Sequence, residues 1–503
     1  MTPLRSKRRY FRPIPPLYDD PLGSMWRSGS MPNDPKPSVS PSANGLQIER
    51  TDCLLLNPPD LNTRYPYLGI ALLAALLRAN GIRAALLDSS ALNMSIPEVV
   101  DHVKRLKPRI VGVSVMSLNL RRSYLLLEAL KTSYPEGVIV VGGAHVDAVP
   151  ESVRNLGVRY GFQGECEHEF LEFCKSILGG KEPPPMPGFI INSEGDLNIS
   201  ERKIIKDIDS LPRPAYDLLP IERYFSPSTS RRTVSFISSR GCPYKCIFCS
   251  KLQQKPYRHL SAANMLSQLD WLVRGLGVRW IEFVDEIFTL HRAHVIEFCE
   301  AAISSGLAFE WGCGTRADRV DKELLTLMKR AGCRKVGFGI ETGLERIRNA
   351  INKGLTNKQI LDAVEACRLL GIKTQTCFIF GHPGETLRDM RETVRFARGL
   401  RSNYPTFLRM IPIPGSDLFE SAKRNEELPP EIWNDFMLGH CDYPIYTPRG
   451  IDPKDVHRVF RGAWFSVYLW PPNLWVNRDV FLSWKYLLQG CKAFLDFACT
   501  RKF

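Results

Sequence analysis

The sequence of 503 residues contains no uninterrupted apolar run of the roughly 18 residues that a membrane-spanning helix requires. No apolar segment follows the basic residues near its N-terminus, so the pattern of a secretory signal is lacking as well. Most of the 14 cysteines lie singly in apolar surroundings, which is typical of reduced thiols and not of a disulfide framework. These absences predict a cytoplasmic protein that is neither exported nor membrane-spanning.

Acidic residues are in the minority, since 67 Lys and Arg against 53 Asp and Glu give a net charge of +14. Apart from the cluster Arg5–Arg9 the excess is spread along the chain, whereas nucleic-acid-binding proteins concentrate it on one face. We therefore expect no nucleic-acid partner. Residues 1–46 are rich in Pro, Ser, Gly and Arg without any apolar period, and this composition predicts a disordered basic extension. A start at Met25 or Met31 would remove the basic cluster.

Residues 47–178 alternate short apolar runs with amphipathic helical patterns. The runs are CLLLN, AALLD, RIVGVSV, GVIVVGG and VRYGFQG. This alternation predicts an α/β domain, with a doubly wound parallel sheet covered by helices on both faces. Ligands of such sheets bind beyond the carboxyl ends of the strands. Residues 179–230 are punctuated by proline and are predicted to form an extended linker.

A second series of strand and helix patterns occupies residues 231–420. Its six units predict a closed or partly closed parallel (β/α) barrel, whose chemistry lies at the carboxyl ends of the strands. Residues 421–503 break the alternation, and from Trp464 onward aromatic residues are dense in a basic helical pattern. Two interpretations are open here. The segment is a helix packed on the barrel, or it is an interfacial helix or lid that contacts a membrane surface and favours an apolar substrate.

The stretch GCPYKCIFCS at residues 241–250 places Cys242, Cys246 and Cys249 directly after the first strand of the second series. Three thiolates at this spacing can bind one metal centre from a single loop. A structural zinc ion needs four protein ligands, and the nearest fourth candidate in the sequence is His259. A four-iron cluster held by three cysteines instead leaves one iron open to a substrate or cofactor. We favour the cluster and keep zinc as the alternative.

With the aromatic Phe248 before its last cysteine, this triplet resembles the signature of the radical S-adenosylmethionine (radical SAM) enzymes. The resemblance implies that Cys242, Cys246 and Cys249 hold a 4Fe-4S cluster, which cleaves S-adenosylmethionine to methionine and a 5'-deoxyadenosyl radical. Later strand ends are similar to the elements with which the family binds this cofactor. The residues implied as its contacts are Phe248, Asp285, Glu286, Arg316, Glu341, Gly381 and Pro383.

Ahead of such a barrel, the first domain resembles the cobalamin-binding domain that precedes many radical enzymes, through NPP, YPYLGIALLAALLR and GECEHEF. The implied cobalamin contacts are Asn57, Pro58, Ser114, Met116, Gly142 and Gly143. The loop NPPDLN lacks the histidine of the D-x-H-x-x-G motif that ligates cobalt in classical domains. Cobalamin is therefore expected to bind without an imidazole from this loop, and His145 is an alternative residue that could approach the corrin.

These resemblances predict a cobalamin-dependent radical SAM enzyme that methylates an unactivated carbon of a small-molecule substrate. A flavodoxin or ferredoxin is the expected reductant, and a monomer is the expected oligomeric state. Two alternatives stay open. One is radical oxidative cyclisation or rearrangement in lipid or tetrapyrrole biosynthesis, and the other is a non-catalytic metal-binding regulatory protein.

Overall fold

The computed structural model describes residues 51–59, 66–225, 231–250 and 256–476. The predictions for the N-terminal extension and for the tail beyond residue 476 lie outside these residues. Two parallel sheets carry the fold, as the two series of strand patterns predict. Within the described ranges, no helix has both the length and the hydropathy that crossing a membrane requires.

The first sheet contains seven strands in the order β2-β1-β3-β4-β5-β6-β7. They are β1 (Cys53–Asn57), β2 (Ala84–Asp88), β3 (Ile110–Ser114), β4 (Val138–Gly142), β5 (Tyr160–Phe162), β6 (Phe189–Ser193) and β7 (Asp196–Ile199). The helices are α1 (Leu68–Ala79), α2 (Ile96–Leu106), α3 (Leu120–Ser133), α4 (Ala144–Ala148), α5 (Ser152–Asn155) and α6 (Glu167–Leu178). Strands β1 to β5 are parallel and apolar along most of their length because helices cover both faces of the sheet.

The segment 179–230 differs from the extended linker that its prolines predict. Strands β6 and β7 form a hairpin that extends the first sheet in antiparallel fashion. The two residues between them, Glu194 and Gly195, both have positive φ angles, which suits the tight turn of a two-residue hairpin. Two buried tyrosines anchor the following part of the segment, since the Tyr224 hydroxyl donates to Asp88 at 2.5 Å and the Tyr216 hydroxyl donates to the carbonyl of Ser235 at 2.8 Å.

The second sheet has six parallel strands in the order β15-β14-β13-β12-β11-β8, with β8 and β15 at its edges, and so forms an open barrel. The strands are β8 (Thr233–Phe236), β11 (Trp280–Phe283), β12 (Glu310–Thr315), β13 (Cys333–Glu341), β14 (Lys373–Phe380) and β15 (Tyr404–Arg409). The helices are α7 (Ala262–Asp270), α8 (Arg292–Ser304), α9 (Lys322–Arg330), α10 (Glu345–Ala350), α11 (Asn357–Leu370) and α12 (Leu387–Leu400). Large side chains such as Phe283, Trp311 and Phe338 are buried in one core cluster with apolar residues of the helices.

In the part of the chain that the structure describes, four helices follow the last strand of the barrel. They are α13 (Asp417–Arg424), α14 (Ile432–Leu438), α15 (Pro453–Tyr468) and α16 (Pro471–Val476). Helix α15 packs on the barrel, where the ring of Trp464 meets that of Phe407 at 5.6 Å and the Tyr468 hydroxyl donates to the carbonyl of Pro405 at 2.9 Å. Helix α15 therefore packs on the barrel, whereas α14 joins a core cluster with residues of the first domain. The interfacial interpretation concerns the tail beyond residue 476.

The carboxyl ends of the two sheets face each other. Gly415, which follows β15 with a φ of +79°, lies where an added Cβ would be 3.7 Å from the Cβ of Ala148 and 3.9 Å from the Oγ of Ser250. Ala148 ends the helix after β4, and Ser250 ends the cysteine stretch. The loops that ligands use in each kind of sheet therefore meet in one place.

Two ion pairs tie the first domain to a short ribbon that flanks the cysteine loop. The ribbon consists of β9 (Ser239–Arg240) and β10 (Arg258–His259). Glu165 forms a bidentate pair with Arg258 at 2.7 and 2.8 Å, and both side chains are only 9% exposed. Glu167 pairs with Arg240 at 2.7 Å. The GECEHEF run thus holds the ribbon from which the cysteine loop emerges.

Replacing Glu165 by Ala should lower the free energy of unfolding by about 3 to 5 kcal/mol, because it leaves a buried guanidinium without its carboxylate. Urea titration of the purified protein measures this change. The matched control is Glu172→Ala on the following helix α6, where Glu172 is 60% exposed and pairs with Lys175 on the surface. The control should change the unfolding free energy by less than about 0.5 kcal/mol. Equal losses in the two variants would contradict the proposed importance of the buried pair.

The stability difference between the wild type and Glu165→Ala should also depend on pH. Burial alone would raise the pKa of Glu165, but the hydrogen bond from Arg258 and the charges of Arg240 and Arg258 outweigh burial and lower the pKa. A lowered pKa adds stability above the pKa of the unfolded chain and loses it as the pH falls through the folded value. The difference should therefore shrink below about pH 4. A difference that stays constant below that pH would argue against an ionised Glu165.

Candidate functional site

The loop of Cys242, Cys246 and Cys249 is anchored by backbone contacts at both of its sides. The amide of Ile247 donates to the carbonyl of Ile351 at 3.2 Å, and the carbonyl of Ile247 accepts from the amide of Leu418 at 2.9 Å. These contacts connect the loop to the segment after α10 and to the start of α13. The loop is thus held at the carboxyl end of the barrel, where the sequence predicts the chemistry.

The three thiols form a donor set that fits an iron-sulfur cluster. Burial raises the pKa of each thiol, that of Cys249 to about 11, while the charge of Lys353 favours the thiolate in all three. Among the described residues, no group of three or more His, Cys, Asp or Glu side chains is arranged around a single metal ion. A 4Fe-4S cluster makes a different demand, because each cysteine binds a different iron atom.

His259, the fourth ligand that a zinc site would need, is engaged elsewhere. Its ring stacks on His294 at 4.0 Å and on His291 at 5.5 Å. Its Nδ1 lies 3.1 Å from the carbonyl oxygen of Leu260. The position of this histidine therefore does not support a zinc site, the alternative to the cluster that the sequence left open.

Arg316, one of the predicted contacts of S-adenosylmethionine, lies beside the cysteine loop. It is 4% exposed, and its guanidinium carbon stacks 3.7 Å from the ring centre of Tyr244, which belongs to the loop. Its Nε and Nη2 donate to Asp318 at 3.0 and 3.1 Å, and Nη2 also donates to the carbonyl of Lys353 at 2.9 Å. In the described structure Nη1 is buried and has no hydrogen-bond partner. That nitrogen can donate to an anionic ligand group.

Glu341 stands at the end of β13 in a left-handed conformation, with φ at +70°. The register between β13 and β14 shifts at this point, and the strained backbone turns the residue out of the strand pattern. Its Oε1 accepts from Lys353 Nζ at 2.9 Å, and both side chains are largely buried. Sequence reasoning missed Lys353, although Asn352-Lys353-Gly354 has the composition of a turn, and Asn352 and Gly354 both have positive φ angles.

Asp285 and Glu286 differ in what surrounds them. Asp285 is buried, and it accepts hydrogen bonds from the amides and hydroxyls of Ser238 and Ser239, the Ser238 amide at 2.9 Å and the Ser239 hydroxyl at 2.7 Å. Burial raises its pKa to about 7. Asp285 thus organises the strand end that leads into the cysteine loop. The charge of Glu286, in contrast, acts on Cys242 and raises the pKa of that thiol.

The last two predicted contacts of S-adenosylmethionine, Gly381 and Pro383, both lie in the loop after β14 but face different surroundings. The amides of Gly381 and His382 donate to Glu385 at 2.8 and 3.0 Å, and His382 is fully buried with its ring edge-on to Phe248 at 6.1 Å. Burial lowers the pKa of His382 to about 4. Pro383 lies instead on the wall of another cavity, of about 660 Å³, formed by the first turn of α12, by α13 and by residues 446–451. The structure thus brings Phe248 to the loop after β14, but it does not place Pro383 beside the cysteines.

Asn57 and Pro58 face protein groups at the carboxyl end of β1. The Asn57 amide donates to Asp88 and to Ser90, each at 3.1 Å, and the Ser90 hydroxyl donates to the carbonyl of Pro58 at 3.1 Å. Tyr224 completes this buried network through Asp88. Both predicted cobalamin contacts therefore shape the edge of the sheet and lie next to residues 60–65, which fall outside the described ranges.

The ends of β3 and β4 carry the other four predicted cobalamin contacts, Ser114, Met116, Gly142 and Gly143. Gly143 is exposed with φ at +100°, and a Cβ there would lie 2.7 Å from the carbonyl oxygen of Val115. His145 is 2% exposed and turns inward, where its Nδ1 lies 2.9 Å from the Ser117 hydroxyl. Its ring packs at 6.0 Å against that of Trp433. The edge is thus open at the glycines, and the nearby imidazole is engaged inside the protein.

Comparison with known proteins finds two domain families in this chain. The model of the Radical SAM superfamily matches residues 236–397, and that of the B12 binding domain matches residues 60–173. An uncharacterized methyltransferase of Pyrococcus horikoshii is 30% identical over 448 residues, which cover 87% of this chain and 96% of that protein. The anaerobic magnesium-protoporphyrin IX monomethyl ester cyclase of Rubrivivax gelatinosus is 27% identical and matches 87% of this chain and 80% of its own length.

A solved structure shares the fold. The radical S-adenosylmethionine methyltransferase TsrM of Kitasatospora setae, solved with cobalamin and a [4Fe-4S] cluster bound, superposes with a TM-score of 0.66 at 19% identity. The match covers 83% of this chain and 89% of that one. The two proteins therefore share the arrangement of a doubly wound sheet followed by an open barrel, although their sequences are only 19% identical.

Removing any one cysteine of the triplet should abolish cluster binding, because a cluster held at two corners is no longer retained by the loop. After anaerobic reconstitution with iron and sulfide, Cys242→Ala, Cys246→Ala and Cys249→Ala should each lose the iron-sulfur absorption band and most of the iron. The control is Cys441→Ala, since the Cys441 thiol contacts only the carbonyl of Ile432 among the contacts described. An unchanged band in Cys246→Ala, or stoichiometric zinc in the wild type, would contradict the assignment.

Proposed function

Because the chain belongs to the family of radical SAM proteins that carry an N-terminal B12-binding domain, we propose that it methylates an unactivated carbon of a small molecule with the help of cobalamin. The observation that carries this proposal is the meeting of the two carboxyl edges, where Gly415 lies next to both Ala148 and Ser250. When bound, the cluster and S-adenosylmethionine supply a hydrogen-abstracting radical and cobalamin supplies the methyl group. The protein has to hold these groups close together and keep water away from them.

The barrel supplies the residues for the cluster and for S-adenosylmethionine. Cys242, Cys246 and Cys249 hold the iron. The buried Nη1 of Arg316, which has no hydrogen-bond partner within the described structure, donates to the carboxylate of S-adenosylmethionine. Glu286, whose charge already acts on Cys242, faces the amino group. This division of roles gives the carboxylate and the amino group of the cofactor each a protein charge of opposite sign.

Two further residues complete this part of the proposal. Glu341 accepts from the ribose hydroxyls while its Oε1 stays paired with Lys353. Gly381 places the backbone of its loop close to the segment 446–451, since a Cβ there would lie 3.2 Å from the carbonyl oxygen of Tyr446. Asp285 and Phe248 act indirectly, because Asp285 orders the strand end before the cysteine loop and Phe248 packs on His382.

The first domain supplies an open surface for the corrin. Ser114, Met116, Gly142 and Gly143 line the ends of β3 and β4, and the exposed glycine backbone lets a flat ligand come close. His145 is paired with Ser117 and packed on Trp433, so we propose that it does not ligate cobalt. Asn57 and Pro58 keep the neighbouring strand end in place through Asp88 and Ser90.

The partners of the reaction follow from its chemistry. Reduction of the cluster needs a one-electron donor of low potential, and a flavodoxin or ferredoxin is suited to this task. We propose separately that the protein acts as a monomer. An apolar substrate delivered at a membrane surface is consistent with the aromatic and basic tail beyond residue 476. The described part of the linker, residues 179–225, connects the cobalamin-binding domain to the barrel through its hairpin and its buried tyrosines.

Anaerobic incubation with methyl-labelled S-adenosylmethionine, a reductant, cobalamin and a cell extract tests the reaction. Methylation should give a labelled product that is heavier than the substrate by one methylene, together with 5'-deoxyadenosine. An unlabelled product with two fewer hydrogens would indicate oxidative ring formation instead, and the Rubrivivax gelatinosus relative is named as a cyclase. Failure to release 5'-deoxyadenosine would favour a non-catalytic metal-binding protein.

The surface proposed for the corrin can be tested by Gly142→Leu. A Cβ at Gly142 comes no closer than 3.7 Å to Phe162, an ordinary contact distance, so the fold should accept it. The added side chain should block the open edge and lower the affinity for cobalamin at least tenfold, measured by the absorbance of cobalamin that stays bound during gel filtration. The iron content after reconstitution should remain that of the wild type.

Gly399→Leu is the matched control, because Gly399 is exposed on α12 and a Cβ there meets nothing within 4 Å. This variant should bind cobalamin and iron as the wild type does. Wild-type cobalamin affinity in Gly142→Leu would rule out the surface at β3 and β4. A wild type that binds no cobalamin under these conditions would refute the cofactor itself.

A further inference from the structure

The segment 351–353 lies directly on the cysteine loop. The carbonyl of Ile351 accepts from the amide of Ile247 at 3.2 Å. The next carbonyl oxygen, that of Asn352, lies 3.6 Å from the Sγ of Cys246. The residue that follows is Lys353, so its position relative to the thiols is fixed by the backbone on which it sits.

A buried arginine keeps this segment rigid. Arg348 is fully buried, and its Nε donates to the carbonyl of Leu355 at 2.7 Å. Its other nitrogens donate to the carbonyl of Thr342 and to the side chain of Asn357. The amide of Lys353 donates to the carbonyl of Arg348 at 2.8 Å. Because the guanidinium holds the chain before and after the segment, Lys353 cannot drift away from the loop.

The side chain of Lys353 brings a positive charge into a buried place. It is 11% exposed, and its Nζ lies 2.9 Å from the Oε1 of Glu341, which is 7% exposed. A Cβ on Gly339 would lie 3.1 Å from this Nζ, so a glycine in the strand makes room for the ammonium. The carboxylate of Glu341, 2.9 Å from the ammonium, favours the charged form of this lysine.

We propose that Lys353 is a positioning residue that sets the reduction potential of the cluster held by Cys242, Cys246 and Cys249. The proposal rests on the cluster assigned under the proposed function. Reduction adds one negative charge to a centre that already carries three thiolates, and net charge near the sulfurs is one of the factors that set such potentials. A buried cation interacts strongly with that added charge because little water screens it.

Glu341 is the opposing element of this arrangement. Its carboxylate holds the ammonium in position and at the same time partly cancels its charge. The potential thus depends on the balance within the Lys353–Glu341 pair. Arg316 is bound to the same segment, through the carbonyl of Lys353, but its Nη1 has no hydrogen-bond partner in the described structure. The two cations therefore differ in role. The Nη1 of Arg316 can donate a hydrogen bond to a ligand, whereas the Nζ of Lys353 is paired with Glu341.

Four variants of the full chain measure this balance through the midpoint potential of the reconstituted cluster, titrated anaerobically without S-adenosylmethionine. In Lys353→Met the reduced form should become at least about tenfold less populated at a fixed potential, which is a shift of about 59 mV to more negative values for one electron. Glu341→Gln should shift the potential in the opposite direction. The double variant should lie between the two, and Lys353→Arg, which keeps the charge, should stay close to the wild type.

The matched control is Lys358→Met, since Lys358 is 83% exposed and pairs with Asp362 on the surface of α11. Its potential should equal that of the wild type. A Lys353→Met cluster with wild-type potential would overturn the proposal, and a simultaneous loss of S-adenosylmethionine affinity would then assign Lys353 to ligand binding. If Lys353→Met does not retain a cluster, Glu341→Gln decides, because an unchanged or more negative potential there also overturns it.

These measurements need only the cluster and no methyl transfer, so the two proposals fail in different ways. A wild type without iron-sulfur absorption would remove the proposed function and this inference together. A wild type that forms the cluster but produces no methylated compound would refute methylation and leave the dependence of the potential on Lys353 measurable.

Discussion

The constraint on which the rest of the structure depends is that two parallel sheets turn their carboxyl edges toward each other. Each sheet alone can bind a ligand beyond its strand ends, but neither can bring two different cofactors into contact. The approach of the loops after β4 and β15, with Gly415 between Ala148 and Ser250, creates a common space for both. A glycine fits here because a side chain with a positive φ would be strained at this close approach.

Polar contacts keep the two edges in register. The Glu165–Arg258 pair and the Tyr224–Asp88 hydrogen bond both run from the first domain to elements that lead toward the barrel. Apolar contacts add to them, since Trp433 of α14 packs in the core cluster that includes the helices of the first domain. Buried ion pairs contribute less to net stability than their Coulomb attraction suggests, but they impose one geometry because a partner left alone is costly.

The cysteine loop illustrates how charge is balanced in a buried site. Burial disfavours the charged, thiolate form of the three cysteines. The positive charges of Lys353 and Arg316 favour the thiolates of Cys242 and Cys246. Glu341 and Glu286 counteract these cations. The fold fixes the positions of these four charged residues, because each lies at a strand end or in the segment that contacts the loop.

The sequence by itself determined the order of the elements, because apolar periodicity reports which segments alternate between strand and helix. It also located Cys242, Cys246 and Cys249, since their spacing is a local property of one loop. It did not reveal the hairpin within residues 179–230. The prolines of this segment predict an extended chain, and the two-residue turn of Glu194 and Gly195 is a weaker signal. Only the tertiary structure decided which strand-end residues meet the thiols. Asp285 bonds to serines, Pro383 lies in another cavity, and Lys353 reaches the site because long-range packing carries its segment onto the loop. Such placement depends on residues about a hundred positions apart, as in the Cys246–Asn352 contact, and no local pattern encodes it.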